Sequence, residues 1–582
     1  MNNNVQTKWS QFISLIIVFF FWGFVAASND ILIPVFKKYF VLSQVQAQLV
    51  AWAFYAAYFV GSVIFFVVSL KSDVLQKFGY KKTLSFGLVI SAIGAFLFVP
   101  AAINASFVFF LSALFIVGLG FSVQQIVANP LAIKMGSADT GAHRLTLAGG
   151  VNSLGTTIGP IIVGIALFGM GNNSGSAPRD KTLTKTEIVQ NNFKDLQTEL
   201  NQNKQELAVI STSETAVLNK SEADIDANLK SINQSLGELK NKSEAELVPY
   251  INKFDVVKKS ATSIVYPKEF VKTHLSLVKK PFIVLGIAFL LVAVFMLFAK
   301  IDDPAKEEEI IEDSTEKFNI LKYPQLALGM LAIFIYVGVE VSIVSNLPAL
   351  LHTHEFGNIL ENNIAPFISL YWGSLMIGRW NGGINVFNTS KSTNMLLKFI
   401  VPFIAFGVIL GANYLSGRDV SAFYIYPIWI IIFILMSFWG GKNAGKTLML
   451  FGFAGIVMMV LGLVWPDKEI AKYFFISGGL FCSIMWPSIF DLAIAGLGKN
   501  TGKASSFLIM MILGGGIIPL IQGYICDFDL TNPKGIMGIT YTHFSYIVPI
   551  FCFLYLAFYG FITPKILRKQ GVILVNTESS AH

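Results

Sequence analysis

The chain has 582 residues, 54% hydrophobic and 13% charged, with a formal net charge of +8. Soluble domains carry roughly a quarter charged residues, so this composition excludes a soluble protein and points to a polytopic membrane protein, with its charge bunched between long apolar runs. The basic excess does not mark a nucleic-acid binder, because Lys and Arg are scattered through short loops between those runs, where orientation rules collect them.

The first apolar run, 11–34, begins like a signal peptide that would end at Ala26-Ala27-Ser28, but it continues through Ile31-Leu32-Ile33-Pro34 and reads as a first membrane helix. Spans follow at about 46–70, 83–103, 106–133, 145–169 and 281–299. Between the fifth and sixth lies a polar stretch, 171–280. There Ile225, Leu229, Ile232, Leu236 and Leu239 form a helical seam, which predicts a small helical hairpin. Its expected role is a lid or spacer, with docking of a protein partner as the sharper alternative. Residues 300–323, with Lys306-Glu307-Glu308-Glu309, read as a solvated linker. Eight more spans follow, at about 324–348, 364–386, 395–415, 423–441, 446–465, 471–496, 504–526 and 542–563. The predicted class is therefore an all-α membrane protein with fourteen spans. Lys71, Lys77, Lys81 and Lys82 follow the second span, Lys134 and Arg144 the fourth, and Lys565, Arg568 and Lys569 the last. These charges place both termini in the cytoplasm and 171–280 outside it. Cys482, Cys526 and Cys552 form neither a disulfide framework nor a metal spacing.

The two halves repeat each other. Ser122 to Ile133 parallels Ser483 to Ile494, and both end in Leu-Ala-Ile. Thr140-Gly141 matches Thr501-Gly502, while Gly155, Pro160 and Gly164 match Gly514, Pro519 and Gly523. Lys82-Thr83-Leu84 and Lys446-Thr447-Leu448 open corresponding spans. Two six-helix halves running in the same direction are the parallel repeat of major facilitator transporters. Residues 395–441 have no counterpart and read as an inserted transmembrane hairpin. The expected organisation is an N-terminal bundle (1–170 and 281–299), the insert 171–280, the linker 300–323, and a C-terminal bundle of 324–394 and 446–582 interrupted by that hairpin.

Charged groups inside spans cost roughly 2.5–3.5 kcal/mol on insertion scales, so they persist mainly where they face a cavity. Asp30, beside Asn29, lies in the outer part of span one, where a helix-end cap ahead of Pro34 is the plainer alternative. Glu340 lies mid-span with no basic residue near it in sequence and Tyr336 one turn away, as expected of a cation- or proton-linked carboxylate, with a structural pair to another helix as the alternative. Ser122, Gln125 and Asn129 form one polar stripe, and Asn152 and Thr156 another. Amides both donate and accept, which suits sugar hydroxyls, although helix–helix contacts use the same groups. Tyr336, Trp372 and Trp486 offer aromatic faces to a sugar ring. Arg379 and Asp491, near cytoplasmic span ends, and Lys77 and Lys81, in the loop after span two, are expected to gate. Gly440-Gly-Lys-Asn-Ala-Gly445-Lys446-Thr447 fits a P-loop spelling, but both its flanks are spans, so it reads as a turn.

Asn29-Asp-Ile-Leu-Ile-Pro34, Ala128-Asn-Pro130, Arg144-Leu, Asn152-Ser-Leu-Gly-Thr-Thr-Ile-Gly-Pro160, Tyr336-Val-Gly338, Gly378-Arg379 and Ser483-Ile-Met485 together resemble the fucose–proton symporter family, and among its members the glucose/galactose permease branch. The resemblance implies a multi-pass protein of a bacterial inner membrane, not an enzyme, that imports a sugar by alternating access. It needs no cofactor beyond a transported proton or sodium ion, and it implies a cavity role for Asp30. Fucose–proton members carry a glutamate where this chain has Gln125, and here the carboxylate moves to Glu340, as in the glucose/galactose branch. The expectation is a monomeric glucose- or galactose-type importer coupled to sodium or protons, with the lipid bilayer as its other partner. N-acetylglucosamine or another sugar is the alternative cargo; a drug or organic-anion exporter and a membrane scaffold are the alternatives of other classes.

Overall fold

The computed structural model describes residues 6–41, 44–71, 74–137, 140–168, 185–240, 242–243, 246–302, 319–357, 359, 361–387, 389–416, 418–441, 443–532 and 535–572. The linker run Lys306–Glu309 lies outside them. So do the side chains of Asn29 and Asp30. The first half contains α1 (Trp9–Tyr39), α2 (Gln44–Lys71), α3 (Val74–Asn104), α4 (Phe107–Lys134) and α5 (Gly141–Phe168). Then come α6 (Lys185–Ala208), α7 (Thr215–Leu239), α8 (Val248–Thr262) and α9 (Lys268–Phe298). The second half contains α10 (Pro324–Leu351), α11 (Glu361–Gly383), α12 (Lys391–Leu415), α13 (Pro427–Gly440) and α14 (Ala444–Val464). It ends with α15 (Lys468–Cys482), α16 (Met485–Ile494), α17 (Thr501–Met510), α18 (Gly514–Cys526) and α19 (Ile547–Lys569).

Among the described residues, 11 helical segments are long and apolar enough to cross a membrane, and Trp9–Val25 is a shorter apolar stretch. Two expected spans are broken. Residues 471–496 divide into α15 and α16 at Ser483, four residues before Pro487, which has no N–H to return to the Ser483 carbonyl. Residues 504–526 divide into α17 and α18 around a 3-10 turn, Met511–Leu513, that leads into Gly514-Gly515-Gly516.

Pairing repeats between the halves. In the first, α3 packs on α4 and α9, α1 on α5, and α2 on α4. In the second, α14 packs on α15 and α19, α10 on α18, and α11 on α15. The glycines matched in sequence allow the same crossing twice. A Cβ at Gly155 would meet the Phe20 carbonyl of α1 at 2.3 Å, and one at Gly514 would meet the Phe334 carbonyl of α10 at 1.9 Å. The pair α12 and α13 has no equivalent among the described residues of the first half, and Asn381 of α11 holds both members. Its Nδ2 donates to the Lys398 carbonyl (2.7 Å) and its Oδ1 accepts from Ser437 Oγ (2.6 Å). The Gly440–Thr447 segment is a turn between α13 and α14, with Gly441 at φ 65° and Asn443 capping α14.

The polar stretch is more than the expected hairpin, since three helices, α6 to α8, pack together. Ile225, Ile232 and Leu239 are fully buried there, with Leu229 and Leu236 at the edge of the seam. The sixth expected span is extended at its N-terminal end, because α9 begins at Lys268 and runs through Pro281. The extension contacts both the insert and α1: His274 meets Glu206 of α6 at 2.8 Å and lies 4.9 Å from the Tyr39 ring of α1.

A buried pair ties together two connecting segments of the second half. Glu355, in the 3-10 turn His354–Phe356, accepts from His543 Nδ1 (2.7 Å) and from the Thr540 backbone N–H. Burial pushes the Glu355 carboxyl up, but these hydrogen bonds outweigh it and hold the group at about 2, below its ordinary 4.5. A depressed carboxylate stabilises the fold above its ordinary range and loses that contribution as pH falls from about 4.5 to about 2. Glu355→Gln should therefore lower Tm by several degrees at pH 7, since hydrogen bonds to a charged group are worth ~1.5–3 kcal/mol. Thermal unfolding in detergent should show the gap closing as pH falls through that window.

Candidate functional site

The two halves meet most closely where α5 crosses α11. Trp380 Nε1 donates to the Gly150 carbonyl (3.1 Å), His143 Nδ1 lies 3.0 Å from the Gly382 carbonyl, and Thr157 reaches Met376 Sδ at 3.8 Å. Glycines make this approach feasible: a Cβ on Gly383 would meet Leu147 at 2.9 Å, and one on Gly150 would meet Trp380 at 2.8 Å. A second seam joins α2 to α17 and α18, where Phe66 packs on Phe507 (4.4 Å) and Tyr55 and Trp52 lie against Gly515 and Gly516.

Arg379 stands at the centre of the first seam. Its Nη1 donates to Ser153 Oγ of α5 across the two halves at 2.9 Å. Its Nε donates to the Ser483 carbonyl at 3.3 Å, the acceptor that Pro487 leaves free at the α15–α16 break. Its Nη2 lies 3.5 Å from Tyr336 Oη and 3.8 Å from Glu340 Oε2. Both charged side chains are largely buried, at 13% and 14% exposure. Glu340 is thus not an isolated acid. Its partner comes from the next helix, where Arg379, near the C-terminal end of α11, reaches back to it. The arrangement can hold one negative group, or release it when that group gains a proton or a cation. Tyr336 is buried, with its ring 6.0 Å from that of Trp486, and Trp372 packs edge-on against Tyr371 at 5.7 Å.

The other expected residues separate. Gln125 Nε2 donates to Tyr58 Oη at 2.8 Å, and Ser122 is held by Ser62 (2.9 Å) and the Tyr58 carbonyl (3.1 Å), so this part of the stripe faces α2. The adjacent Gln124, absent from the sequence reading, links Trp22 of α1 (2.7 Å) to Ser91 of α3 (2.9 Å). Asn129 is buried, and its Nδ2 has no hydrogen-bond partner among the described residues. Asn152 Nδ2 donates to the Phe19 carbonyl of α1 at 3.0 Å. Asp491 lies at the start of α5 from the opposite half, 3.1 Å from where a Gly141 Cβ would stand, and a carboxylate suits a helix N-terminus. Lys81 donates to the Ala299 carbonyl at the end of α9 (3.1 Å), and Lys77 is exposed beside the Phe78 ring. Both contacts stay within the first half. Sequence reasoning also missed Ser153, His143 and Trp380. Small or singly occurring polar residues near helix crossings carry no local signal until the partner helix is known.

Two halves that repeat one pattern of helix pairing and meet at such a junction define an all-helical membrane protein of the major facilitator fold. Residues 7–172 match the model of the Major Facilitator Superfamily. The chain is 28% identical over 553 residues to the glucose/galactose transporter of Brucella abortus, covering 95% of this chain and 93% of that one. It is 26% identical over 561 residues to the L-fucose-proton symporter of Haemophilus influenzae, covering 96% and 97%. Among solved structures, the major facilitator transporter FucP in its outward conformation aligns with TM-score 0.56 at 20% identity, over 95% of this chain and 98% of that one. The chain is thus similar to these glucose/galactose and L-fucose-proton transporters along nearly its whole length.

Proposed function

We propose that this protein imports a hexose-type monosaccharide, of the glucose or galactose kind, by alternating access coupled to a proton or sodium ion. The observation that carries the reading is the Glu340–Arg379 pair, a carboxylate and its counter-ion at the junction of the two halves. It stands in a chain whose full-length relatives are named as sugar transporters. In this reading Glu340 takes up the coupling cation, with Asp30 as a second candidate. Asn29, Asp30, Gln125, Asn129, Asn152, Tyr336, Trp372 and Trp486 supply the sugar's polar and aromatic lining. Asn129, with a buried donor left over, suits a hydroxyl acceptor. Fourteen spans, with α12 and α13 as an added hairpin, put both termini in the cytoplasm of a bacterial inner membrane and α6 to α8 outside it. The contacts of α5 with α11 then form the cytoplasmic gate, with Asp491 at its rim.

The test is uptake of labelled glucose, galactose and N-acetylglucosamine into proteoliposomes under an imposed proton or sodium gradient. Accumulation of one hexose above its external concentration, driven by one of the two gradients and competed by the unlabelled sugar, is expected. Absence of sugar uptake under every gradient excludes the proposal.

A further inference from the structure

We infer that the Arg379–Ser153 hydrogen bond is a cytoplasmic latch whose strength is set by the charge on Glu340. This rests on the reading of Glu340 as the coupling carboxylate. The guanidinium has donors pointing in three directions. Nε is fixed on the Ser483 carbonyl and Nη2 faces Tyr336 and Glu340, all within the second half. Among the described residues only Nη1 crosses to the first half, where Ser153 Oγ accepts from it and itself donates to the Gly149 carbonyl (3.1 Å), so the serine hydroxyl is used in both senses. Ser153 is buried. When the halves part on this side, the Nη1 bond is the one that Arg379 loses.

A planar guanidinium distributes itself among its acceptors as a unit. An ionised Glu340 draws the fork toward α10 and offers a charge to lean on when Ser153 leaves. A Glu340 neutralised by a proton or cation takes that compensation away, and the buried guanidinium then depends more on Ser153. Loading Glu340 therefore tightens the latch. A carrier holding the cation but no sugar stays shut on the cytoplasmic side, and the cation does not cross alone. Arg379 and Ser153 are positioning residues in this scheme. The conformational equilibrium is biased from one site by differential contacts in its two states.

The experiment uses the full chain in inside-out membrane vesicles, with Cys482, Cys526 and Cys552 changed to Ala and Leu147→Cys as a reporter on α5 facing Gly383. Maleimide alkylation from the exposed cytoplasmic face is timed without sugar. Ser153→Ala should speed it about fivefold, the equilibrium weight of one hydrogen bond, and Ser153→Thr, which keeps the hydroxyl, should stay near the parent. Glu340→Gln, with Ser153 intact, should slow alkylation, and its effect should vanish in the Ser153→Ala background. Equal or faster alkylation in Glu340→Gln alone overturns the inference even if Ser153→Ala fails to fold. Independent, additive effects of the two changes overturn it too. Because the readout uses no sugar, the rate pattern can hold while no hexose is transported, which rejects the cargo reading and keeps the latch. Hexose uptake without the pattern does the reverse.

Discussion

Arg379→Ala is expected to remove transport and destabilise the protein at once. The substitution leaves Glu340 in a largely buried position without its counter-ion, orphans the Ser483 carbonyl at the helix break and deletes the bond to Ser153. Breaking a buried ion pair from one side costs about 3–5 kcal/mol, because the remaining charge stays uncompensated. That is a large part of the stability of an ordinary domain. Yield of monodisperse protein, Tm in detergent and hexose uptake should all fall, with uptake at the level of empty liposomes. Arg379→Lys should recover part of the stability and little of the transport, since an ammonium supplies the charge without the planar fork that reaches three acceptors. The double variant Arg379→Met with Glu340→Gln separates the two losses. Removing both charges avoids the uncompensated one, so folding should return while gradient-driven uptake does not. Wild-type uptake by Arg379→Ala would show that the pair is a bystander.

The architecture was largely legible in the sequence because membrane helices are written in long apolar runs and because the halves repeat. Gly155 and Gly514 were paired by spacing alone, and both prove to be the places where two backbones nearly touch. Glu340 was visible for a different reason: an acid inside an apolar run is costly, so its presence is informative by itself. Its partner was not visible. Arg379 lies on the next helix, and only the packing of α10, α11 and the α15–α16 break brings guanidinium and carboxylate together. The break follows from Pro487, yet knowing that the Ser483 carbonyl is free does not say which donor finds it. Polar stripes were the weakest signal. On a helix buried on several sides, a glutamine faces some neighbour at almost any angle, and the face toward a cavity differs from the face toward a helix by one residue. Gln124 and Gln125 show this, since one joins α1 to α3 and the other points at Tyr58. The insert has one helix more than its sequence predicts, because a seam with 4-3 spacing specifies a buried face and leaves open how many helices share it.

Glu340→Gln is expected to separate moving a sugar from concentrating it. The amide keeps the shape and the contacts to Tyr336 and Arg379 but carries no charge to be neutralised by a cation. Sugar exchange across the membrane, followed by labelled counterflow at equal ionic composition, should continue at a rate comparable to the parent. Uphill accumulation should disappear. One coupled charge driven by 100 mV contributes about 2.3 kcal/mol, which corresponds to ~50-fold accumulation, so the expected drop is from tens-fold to unity. The same variant should lose the dependence of uptake on whichever gradient, proton or sodium, drives the wild type. Retained accumulation in Glu340→Gln moves the coupling role to another intramembrane acid, with Asp30 first in line. Loss of exchange together with accumulation assigns Glu340 to sugar binding or folding. Retained exchange without accumulation is the outcome required of a carboxylate whose charge, and not its hydrogen bonding, links the ion gradient to the direction of transport.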